Sequence, residues 1–128
     1  MKEYNNSIEA FNKAISINPK CDMVYYNMAN VYKDMGNIEE AKKMHKKSNE
    51  INPRYAYPYN NLGNIYVDER NYDEAIKCYK NAVKYKSNYV LAMANLGVCY
   101  LKVMNYRDAF HSISRAKELM EANIKDLS

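Results

Sequence analysis

The sequence predicts an all-α fold, seven helices paired as stacked antiparallel hairpins with no strand. Three observations predict it. Segments recur at an equal period of 34 residues without a gap. Every period carries apolar residues at helical spacing, and helix-ending residues fall at the joints between periods.

The three full copies begin at Asp22, Ala56 and Val90. A half-copy, YNNSIEAFNKAISINP from Tyr4, precedes them and matches only the second part of the unit. The domain is therefore read as one unit over 1–128: a half repeat at 4–21, full repeats at 22–55, 56–89 and 90–123, and a lengthened last helix running from 106 to about 125.

Each copy reads as two amphipathic helices. In the first helix of the middle copy, Tyr59, Leu62, Gly63 and Tyr66 fall at i, i+3, i+4 and i+7, one helix face. Tyr25, Met28, Ala29 and Tyr32 repeat that face, as do Met93, Leu96, Gly97 and Tyr100. The second helix shows it in Tyr72, Ala75, Tyr79 and Ala82. Matching residues are Ile38, Ala41, His45 and Ser48, then Tyr106, Ala109, Ile113 and Ala116, and Tyr4, Ser7, Phe11 and Ala14 in the half-copy. Small residues at Ala29, Gly63 and Gly97 are expected to face Ala41, Ala75 and Ala109 where the helices cross. Pro19 and Pro53 end second helices. Gly36 is placed for a left-handed cap, whereas Arg70 and Met104 stand there in the other copies.

These residues resemble the tetratricopeptide repeat family, with its aromatic-x-x-Leu-Gly-x-x-Tyr…Ala-x-x-x-aromatic…Pro pattern. The resemblance covers nearly the whole chain. It implies a solenoid, a right-handed superhelix, whose first helices line a concave groove. The departures are Tyr or Met for the usual Trp, His45 and Ser48 at apolar places, and Ser87 for Pro.

Residues opposite the core face of each first helix would line that groove: Met23, Tyr26, Asn27, Asn30, Lys33 and Asp34, then Tyr57, Asn60, Asn61, Asn64, Val67 and Asp68, then Leu91, Ala94, Asn95, Val98, Leu101 and Lys102. Asn27, Asn61 and Asn95 occupy one place in every copy. A carboxamide both donates and accepts, so such a column can hold the backbone of an extended peptide. Asn30 and Asn64 form a second column that ends at Val98. Tyr26 and Tyr57 at one end, and Leu91, Val98 and Leu101 at the other, would take side chains. The apolar group Leu91, Ala94, Val98 and Leu101 is either a ligand pocket or a join to another surface.

YNNLGNIY and MANLGVCY are similar to the repeats that precede the catalytic region of protein O-GlcNAc transferases. That resemblance implies an asparagine ladder recruiting extended segments. A two-carboxylate clamp is not expected. Its asparagine places match at Asn30 and Asn61, but its basic places hold Tyr26, Leu91 and Asn95.

The function expected is protein–protein interaction, with an extended partner segment in the groove. The alternative is a structural segment of a larger scaffold, or the substrate-recruiting region of a glycosyltransferase, associating through exposed terminal helices. No catalysis is expected, for there is no phosphate-cradling loop and no nucleophile–base pair at motif spacing. No cofactor or metal is expected either. Cys21, Cys78 and Cys99 form no C-x-x-C pair, and His45 and His111 complete no ligand spacing.

The net charge of +4 demands no anionic partner. Lys42, Lys43, Lys46 and Lys47 cluster beside Glu39, Glu40 and Glu50, which reads as a solvated face rather than a nucleic-acid site. No apolar run is long enough for a membrane span and no signal peptide is read, so the expected location is intracellular, cytoplasmic or nuclear. The leading half-copy suggests a stretch of a longer repeat protein with Met1 added. The other reading is self-association through the face around Ile8, Phe11 and Ile15.

Overall fold

The computed structural model describes residues 2–127; the predicted bounds at Met1 and Ser128 lie outside them. Among the described residues there are seven α-helices and no strand: α1 (Lys2–Ile17), α2 (Asp22–Asp34), α3 (Ile38–Ile51), α4 (Ala56–Asp68), α5 (Tyr72–Tyr85), α6 (Val90–Lys102) and α7 (Tyr106–Leu127). The chain divides into two compact units, and the boundary falls inside α4, between Leu62 and Gly63.

In the first unit α2 packs against α3 and α1 against α2. Tyr25, Met28, Ala29, Ala41, His45 and Ser48 are buried there. In α1, Ile8, Phe11 and Ile15 are half-buried, so the face offered as free for self-association is already partly covered. In the second unit α6 packs against α7 and against α5. Ala75, Tyr79, Leu96 and Cys99 form its central cluster, with Tyr66, Val67, Tyr72, Ile76, Val83 and Tyr100 around them.

The joints repeat in atomic detail. The Tyr25 hydroxyl donates to the carbonyl of Pro19 at 3.3 Å, and the Tyr59 hydroxyl to that of Pro53 at 2.9 Å. The third copy has neither partner, since Met93 and Ser87 replace both. Inside each hairpin the first helix ends alike. The N–H of Asn37 reaches the carbonyl of Tyr32, that of Asn71 reaches Tyr66, and that of Asn105 reaches Tyr100, each at 2.8 Å. This closure needs a left-handed residue just before the asparagine. Gly36 takes it at φ 85°, and Arg70 and Met104 take it at φ 59° and 62°. Arg70 and Met104 therefore adopt the glycine conformation at a steric cost.

The close approach of paired helices differs from the sequence expectation. A Cβ on Gly63 would lie 2.7 Å from the Tyr79 ring, and one on Gly97 would lie 2.6 Å from Cγ1 of Ile113. The glycines make room for a large side chain of the opposite helix, not for an alanine. The same two places in the first copy hold Ala29 and His45, one methyl larger and one ring smaller.

His45 is fully buried, and neither ring nitrogen has a hydrogen-bond partner among the described residues. Burial, and then the positive charge of Lys33, lowers its pKa to about 4. An unfolded histidine titrates near its ordinary 6.5, so the folded state resists the proton that the unfolded state accepts. The stability this confers is complete above pH 6.5 and is lost as the pH falls toward the folded value.

Two measurements follow from these contacts. Arg70→Gly and Met104→Gly are each expected to raise stability in urea unfolding by about 1 kcal/mol, as relief of a left-handed non-glycine residue gives. Gly36→Ala is expected to lower it by a similar amount. Between pH 7 and 5 the protein is expected to lose on the order of 2 kcal/mol through His45. His45→Leu, close in volume, is expected to remove most of that slope; an unchanged slope would assign it to other groups.

Candidate functional site

The first unit carries its polar groups on α2 and the first turns of α4. The Asn61 amide donates to Oδ1 of Asn30 at 2.9 Å and to the Tyr26 hydroxyl at 3.3 Å. Both donors of Asn61 are thus held inside the protein, and its own Oδ1 accepts no bond from it. Asn30 keeps its amide hydrogens unspent. Asn27 is exposed and makes no side-chain bond among the described residues. Asn60, expected on the same face, is instead buried at 1% exposure. It lies next to Asn61 in sequence, and at 100° per residue that single step carries it from the open face into the core.

Beside this network stands an aromatic group. Tyr26 and Tyr55 have ring centroids 5.3 Å apart, Tyr55 and Tyr57 5.9 Å edge-on, and Tyr26 and Tyr57 6.4 Å. Tyr26 also tilts over His45 at 5.7 Å. Tyr57 is 40% exposed. Tyr55 was not anticipated. It precedes α4 in a loop, where no periodicity marks it, and it is held by Asn49, whose amide donates to the Tyr55 carbonyl at 2.9 Å. Burial, with Tyr26 and Asp22 next in weight, raises the Tyr55 pKa.

In the second unit the amide of Asn95 donates to Oδ1 of Asn64 at 3.4 Å, and the Tyr79 hydroxyl donates to the same oxygen at 2.5 Å. The two asparagine columns of the sequence are therefore bonded to each other across neighbouring first helices, in the same direction in each unit. The offset is the same in both, 31 residues. Leu91, Val98 and Leu101 lie on α6 and are 59%, 48% and 44% exposed, which leaves an open apolar face there.

Three of the four clustered lysines pair with a glutamate one turn away. Lys42 pairs with Glu39 at 3.5 Å, Lys43 with Glu40 at 3.4 Å and Lys47 with Glu50 at 3.7 Å, all on α3. The three cysteines are free thiols, and burial raises the pKa of Cys99, which makes it a poorer nucleophile. Among the described residues no three of His, Cys, Asp and Glu come together as a metal site, and no helix is long and apolar enough to cross a membrane.

The hydrogen bonds separate the asparagines by what their loss would do. Asn27→Ala is expected to leave the thermal midpoint unchanged. Asn64→Ala strands the hydroxyl of Tyr79, a residue 1% exposed, and is expected to cost about 1–3 kcal/mol in chemical unfolding. Equal effects at the two positions would show that the bonds to Asn64 contribute nothing.

The fold recurs among solved structures. A crystal structure of MamA superposes with a TM-score of 0.88 at 22% identity, covering 95% of this chain and 71% of that one. A second crystal structure of MamA gives 0.82, also at 22% identity, with 95% and 67% covered. YrrB, described as a TPR protein with an unusual peptide-binding site, gives 0.81 at 30% identity and covers 89% of this chain, which spans 59% of YrrB's length. Comparison with curated protein sequences gives no match. A family model described as TPR repeat matches residues 1–36 and 63–103, and two described as tetratricopeptide repeat match residues 24–55 and 46–77. With the 34-residue period and hairpin packing described above, the chain belongs to the tetratricopeptide repeat family.

Proposed function

We propose that this chain is a non-catalytic protein-interaction module that takes extended segments of a partner protein on the asparagine-bearing faces of its first helices. The observation that carries the reading is the set of polar atoms those faces leave unspent. In the first unit Asn61 offers an acceptor, Asn30 offers donors and Asn27 offers both. In the second unit Asn64 keeps its amide hydrogens. Alternating donors and acceptors match the N–H and C=O groups of an extended backbone. The bonds between the columns hold Asn30, Asn61 and Asn64 oriented before a ligand arrives, which lowers the entropy cost of binding.

Each neutral hydrogen bond contributes about 0.5–1.5 kcal/mol, while micromolar affinity needs roughly 8 kcal/mol. The rest comes from apolar contact: Tyr26 and Tyr57 in the first unit, and Leu91, Val98 and Leu101 in the second. The peptide-binding site of YrrB, a relative of the same repeat type, supports this reading. A substrate-recruiting role beside a glycosyltransferase would use the same faces.

Peptides selected from a display library on the intact chain supply the ligand for a test. Asn27→Ala with Asn30→Ala is expected to weaken such a peptide at least tenfold, as two lost hydrogen bonds of about 1 kcal/mol each imply. N-methylation of the peptide backbone should weaken it comparably. Binding indifferent to both changes would overturn the proposal.

A further inference from the structure

Away from the asparagines, a cleft of about 460 Å³ opens between α5 and α7 above α6. Its floor is apolar, made by Met93 and Leu96 of α6, with Val83 of α5 and Tyr100 of α6 beside them. Met93 and Leu96 are otherwise buried, at 8% and 6% exposure, so the cleft reaches the core of the second unit.

Its rim carries three cations. Lys80 and Lys84 stand one turn apart on α5, and Arg115 stands on α7 one turn beyond His111. Asp108 is the single acid in the lining, and its Oδ2 is taken up by the Asn105 amide at 2.8 Å. Lys84 lies 5.2 Å from the centre of the Tyr85 ring, and Arg115 makes a long, exposed pair with Glu118 at 3.5 Å. Lys80 has no partner among the described residues. Along α7 the rim changes sign, from Asp108 to Arg115, over seven residues or about 10 Å. A ligand is thereby given a polarity, with its negative end toward Arg115.

We propose that this cleft is a second binding site, specific for an acidic amphipathic peptide segment. One bulky apolar side chain sits on Met93 and Leu96, and neighbouring Asp or Glu side chains meet Lys80, Lys84 and Arg115. The volume falls in the range of ligand-binding clefts, and an apolar floor under a cationic rim matches that chemistry on both counts. A second hollow, of about 750 Å³, adjoins the cleft around Arg107 and Phe110 and shares Asp108 and His111 with it. The surface thus continues past one side chain's length, which suits a peptide better than a compact molecule. The inference is independent of the asparagine faces, since it uses none of their residues.

The test uses the whole chain and a short dansyl-labelled peptide of alternating Glu and Leu, followed by fluorescence and by NMR of the Met93 methyl. The peptide is expected to bind, to shift that methyl, and to weaken as salt rises. Lys80→Glu with Lys84→Glu, both exposed and compatible with folding, is expected to weaken it roughly tenfold, as two exposed attractions turned to repulsions would. Replacing Leu by Ala in the peptide should abolish binding, and Asn27→Ala with Asn30→Ala should not alter it. The proposal is overturned by absent binding into the millimolar range, by equal binding of a peptide with Lys for Glu, or by indifference to the double charge reversal. Preferential uptake of laurate over the peptide would also overturn it, by making the cleft a fatty-acid site.

Discussion

One steric constraint underlies the arrangement: a helix place without a side chain must accept a large side chain from the helix it packs on. Gly63 accepts the Tyr79 ring and Gly97 accepts Ile113. The consequence extends to the candidate site. With its ring seated against Gly63, Tyr79 presents its hydroxyl to Asn64, whose oxygen also receives the Asn95 amide. Core packing and the orientation of a surface amide are thus one contact chain.

The other copies vary that chain in step. Where Tyr79 stands in the second copy, the first has His45 and the third Ile113. Where Asn64 stands, they have Asn30 and Val98. His45 makes no hydrogen bond, so Asn30 is held from Asn61 alone. Ile113 has no polar atom, and the residue beside its place in the repeat is the apolar Val98. The second asparagine column ends at Val98. The face then becomes the apolar one of Leu91, Val98 and Leu101, which trades hydrogen bonding for contact area.

Asparagine on these faces is structural and available at once. A carboxamide has two donor hydrogens and an acceptor oxygen with two lone pairs, more than one neighbour can satisfy. Asn61 gives its donors inward and keeps its oxygen, whereas Asn30 and Asn64 give their oxygens and keep their donors. A serine or glutamine would not do the same, the first for want of a second polar atom and the second for an extra rotatable bond to immobilise. The buried His45 lies one layer beneath, tilted against Tyr26.

Much of the fold was legible because its signals are local and repeated. The period, the helical spacing of Tyr59, Leu62, Gly63 and Tyr66, and the joints at Pro19 and Pro53 each follow from residues a few places apart, and recurrence at 34 residues reinforces every one. The inward place of His45 and Ser48 was legible in the same way. What was not legible depends on contacts between distant residues and on the last few degrees of helix rotation. Asn60 looked like its neighbours but is rotated into the core. Tyr55 joins an aromatic group from an unpatterned loop. Arg70 and Met104 take a glycine's conformation because the closing bonds to Val67 and Leu101, and those from Asn71 and Asn105, outweigh the local cost. The sequence by itself determined that paired helices form and most of the residues that face the core, though Asn60 joins that face and Tyr106 is left 64% exposed, since periodicity depends only on helix geometry. Tertiary structure alone decided which asparagine atoms are spent and which remain, because a hydrogen bond depends on the position of both partners, and a repeat specifies only one of them at a time.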